Sequence, residues 1–400
     1  MTLFLALFGA ADGVWLARIP AVKQQLGLSD GVLGMALLAS PAGVILVALV
    51  AGRLVDRVGS GLPTAVAGVL VPLLPIGFGL AGSLAELVAA LLAFGLAAGL
   101  LDVAANVHAL RVQRAYQRPL ISSFHAWYSG GAIGGALLGG AFAWASVSPA
   151  VSFAAVGIPL AGVALLAARG LLRGREEGIP ETGDSERALP PGARAGAGAA
   201  GRSRHVSLRL LVLGVLAMCS LLGEGAAGNW SAVYLHDNLA APAGLAAIGF
   251  AAFSAAMTAG RMAGDRLAAR FGPVRLMRGA GLLAAAGLGG GLLSGDPAGA
   301  IVGFAVFGAG LSVTFPQLMW AAADADPLRP GSAVARVAGM GYVGLLGGPV
   351  LIGGCATMAG LTRALTIPMV LMVGLALAAR AVARPAADRA VARPADAPAG

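Results

Sequence analysis

Lysine is almost missing from this chain: Lys23 is the single one among 400 residues. Charged residues as a whole make up 11%, less than half of the ~25% that a soluble domain carries. A soluble fold of this length would lack the charge to cover its surface. Cysteine is scarce too. Cys219 and Cys355 each lie inside an apolar run, which argues against a disulfide framework. The four histidines are scattered and offer no cluster for a metal. A P-loop lysine needs a glycine before it, and Lys23 follows Val22, so P-loop ATP hydrolysis by this chain is excluded. Neither a His-Glu-x-x-His pair nor a Gly-x-Ser-x-Gly elbow occurs. No enzyme, catalytic residue, cofactor or metal is therefore expected. The chain also lacks a basic region ahead of its first apolar run and a small-residue cleavage site after it, so the first helix reads as retained. Its abrupt start leaves room for a longer natural N-terminus.

What is abundant is apolar. Hydrophobic residues reach 58% and glycines number 62, and the apolar residues fall into long runs, the signature of membrane spans. Twelve helical segments are predicted. Six lie at about 2–19, 30–51, 62–81, 85–106, 121–144 and 150–168, and six at about 210–230, 244–263, 275–294, 298–320, 333–355 and 363–379. Most approach the ~20 residues that cross the hydrocarbon layer. Lipid offers the backbone no partner, so such spans are helices.

The net charge of +9 invites a nucleic-acid reading, but the basic residues sit in the breaks between runs. With the N-terminus placed in the cytoplasm, only Arg18, Lys23 and Arg363 fall outside; the rest of the 27 Lys and Arg fall inside. That asymmetry is topogenic and excludes a need for nucleic acid. It puts both termini in the cytoplasm; the expected setting is a bacterial inner membrane. The expected organisation is an N-terminal six-helix bundle (1–168), a cytoplasmic linker (169–209), a C-terminal six-helix bundle (210–379) and a disordered cytoplasmic tail (380–400). The linker is rich in charge, Gly, Pro and Ala and cannot bury a core.

The halves echo each other. Trp15 and Trp230 fall at matching places, as do the pairs Gly52-Arg53 and Gly260-Arg261 ahead of the third span of each half. Internal duplication is how many secondary transporters are built. The run Gly52, Arg53, Asp56, Arg57, Gly59 resembles the loop signature of the major facilitator superfamily. Gly260, Arg261, Asp265, Arg266, Arg270 and Gly272 resemble a second copy with an extra residue. The resemblance implies twelve transmembrane helices in two pseudosymmetric six-helix bundles and a monomeric, alternating-access transporter. These loops would gate: Asp56 would latch the halves in the outward-open state against the start of the eleventh span, with Asp265 as its counterpart. The competing reading is that both loops only hold topology.

A narrower likeness joins Leu101–Asn106 to the fucose-permease branch of proton–sugar symporters. It implies that Asp102 is an essential carboxylate, with Asn106 beside it; Val107 stands where that branch has proline. Other runs resemble a nearby bacterial subgroup of unassigned substrate. Independently of any likeness, a carboxylate within a span is costly unless paired, protonated or wetted. Asp102 is therefore the first candidate for a coupling proton, with Asp12 and Glu224 as solute acceptors or further proton sites. His125, Asn229, Trp230 and Gln317 complete the candidate polar site. For each, a structural helix–helix hydrogen bond or packing role is the competing reading. The expected function is proton-coupled uptake of a small polar solute such as a sugar. The alternatives are proton-antiport efflux of amphipathic compounds and, at low odds, a membrane-embedded enzyme. The partners implied are the lipid bilayer, a small-molecule substrate and protons.

Overall fold

The computed structural model describes the backbone of residues 2–116, 121–171 and 199–383, and the side chains of these except 109–116, 121–126 and 199–207. The described residues are helical, with twelve long helices among them. In chain order they are α1 (Thr2–Gln25), α2 (Asp30–Val58), α3 (Gly61–Leu80), α4 (Leu84–Tyr116), α5 (Ile121–Trp144), α6 (Pro149–Ala168), α7 (Ala199–Val233), α8 (Ala243–Phe271), α9 (Pro273–Ser294), α10 (Pro297–Ala325), α11 (Pro330–Ala359) and α12 (Leu361–Val382). Among the described residues, eleven are long and apolar enough to cross a membrane, and α5, with 24 residues, is the twelfth. Helix α7 begins at Ala199, inside the stretch expected to be linker. Residues 199–209 contain alanine and arginine, both good helix formers, and extend the span beyond the bilayer core.

Local chemistry explains the ends and breaks. Ser29, Ser148 and Asp296 cap α2, α6 and α10 by accepting from the N–H three residues on. Pro149, Pro273, Pro297 and Pro330 open their helices, where a missing N–H costs nothing. Four helices are interrupted, α2 at Leu38, α3 at Leu74, α10 at Ser312–Val313 and α12 at Leu365. Each interruption lies just ahead of a proline: Pro41, Pro75, Pro316 and Pro368. Proline removes one backbone bond and crowds the carbonyl four residues back.

The duplication is visible in the turns. Gly59 closes α2 at φ 79°, ψ 160°, and Gly272 closes α8 at φ 73°, ψ 158°. That left-handed φ is open to glycine and strained for other residues, so the two loops have the same backbone for the same reason. Within the first half, α1 packs on α5; the corresponding pair in the second half is α7 on α11. Glycines let the backbones approach: Gly9 and Gly13 face the carbonyls of Tyr128 and Ala132, Gly131 and Gly135 face those of Ala6 and Ala10, and Gly344 faces that of Met218.

The halves meet through α2 on α11 and α5 on α8. These seams lie at one end of the molecule. Gly31 and Gly34 at the start of α2 abut Thr357, Gly353 and Pro349, and Gly140 near the end of α5 abuts Ala247. At the other end Gly52 and Gly331 face open space, and Asp56 and Asp265 are exposed. Among the described residues, the molecule is closed at the end where α1 passes into α2 and open at the end bearing the two glycine-capped loops.

Candidate functional site

A cavity of about 300 Å³ sits at the seam between the halves. It draws on α1, α2, α4 and α5 from the first half and on α7, α8 and α11 from the second. The break in α2 places Ser40 and Pro41 on its wall, and Pro349 faces them from α11. Trp15, Phe94, Phe250 and Phe253 supply aromatic surface; Ser129, Asn229, Ser254 and Thr258 supply hydrogen-bonding groups.

Three ionisable side chains line this space in addition to the Tyr128 phenol: Asp12, Glu224 and Arg261. Asp12 is half-buried on α1, and its Oδ2 accepts a 2.9 Å bond from Tyr128 Oη on α5. The close α1–α5 packing through glycine sets that distance. Across the cavity Arg261 Nη2 donates to both Glu224 oxygens, at 3.2 and 3.1 Å. Asn229 spends one N–H on its own helix, to Gly225 O at 2.9 Å. Gly225 and Gly228 line the wall with bare backbone.

Of the residues expected from sequence, Asp12, Glu224 and Asn229 come together here. Asp102 and Asn106 lie on α4 but do not line the cavity. Asn106 Nδ2 donates to the Asp102 backbone oxygen at 2.9 Å and to its Oδ1 at 3.0 Å, and Asp102 is exposed. Trp230 is fully buried against Gly353 and serves the core. Gln317 is half-buried on α10, away from the cavity wall. The His125 side chain lies outside the described residues.

Arg261, expected among the gating-loop residues, lines the cavity. Registering the two glycine caps puts Arg266 and Arg270 in the places of Arg53 and Arg57, which leaves Arg261 more than a turn deeper in α8. The signal was available in the extra residue between Gly260 and Asp265. Gly260 itself packs against Ser312 at the break in α10.

A family model of the Major Facilitator Superfamily matches residues 1–327. The chain belongs to that superfamily. It is a multi-pass membrane transporter and not an enzyme. An uncharacterized MFS-type transporter of Yersinia pestis is 32% identical to this transporter over 383 residues, which is 95% of this chain and 94% of the relative. The membrane protein MosC of Rhizobium meliloti is 27% identical, over 94% of this chain and 86% of its own. Among solved structures, a bacterial homolog of the lysosomal transporter Spinster, inward-facing and unoccupied, superposes with a TM-score of 0.75 at 17% identity, covering 95% of this chain and 96% of that one. The D-xylose–proton symporter superposes with a TM-score of 0.66 at 16% identity, covering 94% and 95%. At those identities the likeness establishes the twelve-helix fold of two pseudosymmetric bundles, and nothing about the solute.

Proposed function

We propose that this transporter carries a small polar solute, such as a sugar, into the cell together with protons. The observation that carries the reading is the seam cavity itself. It receives a carboxylate from each half, Asp12 and Glu224, beside amide and hydroxyl groups and flat aromatic walls. Aromatic faces stack on the apolar faces of sugar rings, and the carboxylates, amide and hydroxyls pair with solute hydroxyls. In this reading the two bundles, joined by the segment between α6 and α7, rock about the cavity in turn. The closed end faces the exterior, and the open end, with the 52–59 and 260–272 loops, faces the cytoplasm. Asp102, exposed on α4, takes up and releases the coupling proton; Asp12 and Glu224 hold the solute. The loop carboxylates Asp56 and Asp265 engage when the open end closes.

Proton-antiport efflux of amphipathic compounds is the second reading, favoured by the aromatic wall of Trp15, Phe94, Phe250 and Phe253. Proteoliposomes with a trapped pH indicator separate the readings. Adding a transported sugar outside acidifies the lumen under symport. Alkalinisation on adding an amphipathic quaternary ammonium compound, which carries no exchangeable proton, with no response to sugars, would overturn the proposal.

A further inference from the structure

We infer that the Glu224–Arg261 pair is a reader of vicinal hydroxyls, so that the solute is a neutral polyol recognised through two adjacent hydroxyl groups. The inference rests on the polar-solute reading above and makes it specific.

The geometry of the pair is the starting point. Both contacts come from a single nitrogen, Nη2, end-on to the carboxylate. An ion pair built for rigidity uses the parallel fork, with two nitrogens on two oxygens. Here the hydrogens of Nη1 and Nε are left over, and a carboxylate has about four lone-pair sites of which two are engaged. Both side chains are open to the cavity, with 40% and 31% of their surfaces exposed. Their helices, α7 and α8, belong to the same half, so the pair does not tie the halves together.

A pair of this kind offers an acceptor edge and a donor edge side by side, with no net charge. A hydroxyl both donates and accepts. Two hydroxyls on neighbouring carbons match the two edges: one donates to Glu224, the other accepts from Arg261. A carboxylated solute drawn to Arg261 would have to displace Glu224 and leave it unpaired in a membrane interior, and an ammonium drawn to Glu224 would do the same to Arg261. Asn229 extends the donor–acceptor edge along α7, since its carbonyl oxygen and second N–H remain after its bond to Gly225. Gly228 leaves the backbone beside the pair without a side chain, and Phe250 lines the same wall.

The test compares solutes that differ by one hydroxyl. Purified protein in detergent is titrated with glucose and xylose, with 2-deoxy-, 3-deoxy- and 4-deoxyglucose, which between them break every adjacent hydroxyl pair of the ring, and with gluconate and glucosamine, and thermal stabilisation gives apparent affinity. At least one neutral sugar is expected to bind about 10- to 100-fold more tightly than its deoxy partner, the usual worth of hydrogen bonds to charged groups. Single neutralisations strand a charge and can fail to fold. The double variant E224Q/R261Q keeps a neutral, similarly shaped amide and is expected to bind both partners at the weaker affinity. Equal affinity for sugar and deoxy sugar in the wild type, or discrimination retained in the double variant, overturns the diol reader and leaves polar-solute transport standing. Stabilisation by gluconate or glucosamine alone does the same. No stabilisation by any of the seven compounds overturns the polar-solute reading together with it.

Discussion

The Lys23 ammonium at the end of α1 and the Asp237 carboxylate at the end of α7 meet at 2.5 Å, across the boundary between the two halves. Lys23 also contacts Asp30 at the start of α2, at 2.5 Å. Beside it Gln24 contacts His236 at 2.6 Å. His236 Nδ1 lies 3.0 Å from the Ala241 carbonyl, so it is the donor there and Nε2 accepts from Gln24. Asp237 and His236 sit in a π-helical turn, Tyr234–Asn238, that ends α7. Such turns are rare and concentrate where helices do functional work. The single lysine thus belongs to a polar clasp that closes one end of the molecule.

Opening that end requires the Lys23–Asp237 contact to break, whereas the Lys23–Asp30 contact can persist within one half. The side chains are 12% and 26% exposed, so screening leaves a contribution on the order of 1 kcal/mol. Asp237→Asn is therefore expected to raise the open-to-closed ratio at this end roughly fivefold. Paired spin labels at the exposed positions 35 and 358, in a background without Cys219 and Cys355, report the separation of α2 and α11. An unchanged distance distribution would show that the clasp does not hold the seam.

A second prediction concerns the glycine face of α5. A Cβ at Gly131 or Gly135 would run into the carbonyls of Ala6 and Ala10, while Gly130 and Gly134 have open space at the corresponding point. Backbone cannot yield as a flexible side chain does, so Gly135→Val is expected to cost at least the 1–3 kcal/mol typical of overpacking. Gly134→Val should be tolerated. Monodispersity in detergent and the melting temperature compare the two variants. Similar melting curves would mean that α1 and α5 are less tightly joined than the structure shows.

The same packing explains what the sequence discloses and what it conceals. Span number, order and duplication are legible because lipid imposes run length and because Gly59 and Gly272 answer one backbone requirement twice. The partnership of Asp12 with Tyr128 is not legible: it joins positions 116 apart, and depends on where the Gly9–Gly13 face meets the Gly131–Gly135 face. Arg261 is hidden for a different reason. It follows a glycine ahead of an Asp-Arg pair, which mimics the loop motif, and only the length of α8 shows it to be inside the span. Trp15 and Trp230, matched in sequence, differ in setting: Trp15 lines the cavity, and Trp230 has 0% exposure.

Tyr128→Phe tests the first wall of the cavity. It deletes the hydroxyl that donates to Asp12 and leaves the ring contact with Phe8. The lost bond to a carboxylate is worth about 1.5–3 kcal/mol. Since the ring fills the same space, the cost is expected in transport more than in folding: roughly tenfold or greater loss of sugar uptake, with a melting temperature close to that of wild type. Wild-type uptake by the variant would assign Asp12 another partner in the working state.

Gly228→Ala probes the size of the cavity. The added methyl carbon would find Leu16 at 3.9 Å and Phe250 at 4.0 Å, ordinary van der Waals separations, so the fold accepts it. The same methyl projects from a wall that carries no side chain at that point. Weaker binding of a six-carbon sugar with little change for a five-carbon sugar is the expected signature, read from competition for uptake. A uniform loss for both would point to altered helix packing rather than to cavity volume.

Asp102→Asn addresses coupling. The carboxylate oxygen that accepts from Asn106 has a counterpart in the new amide, so the bond from Asn106 is kept, and the position is exposed. What the variant cannot do is exchange a proton. If Asp102 carries the coupling proton, a pH gradient imposed on proteoliposomes no longer drives accumulation, while exchange of labelled for unlabelled sugar at equal concentration on both sides continues, because exchange needs no net proton movement. Loss of both activities would assign Asp102 to solute binding or structure. Accumulation that still follows the gradient would move the proton to Asp12 or Glu224, the two carboxylates that face the cavity.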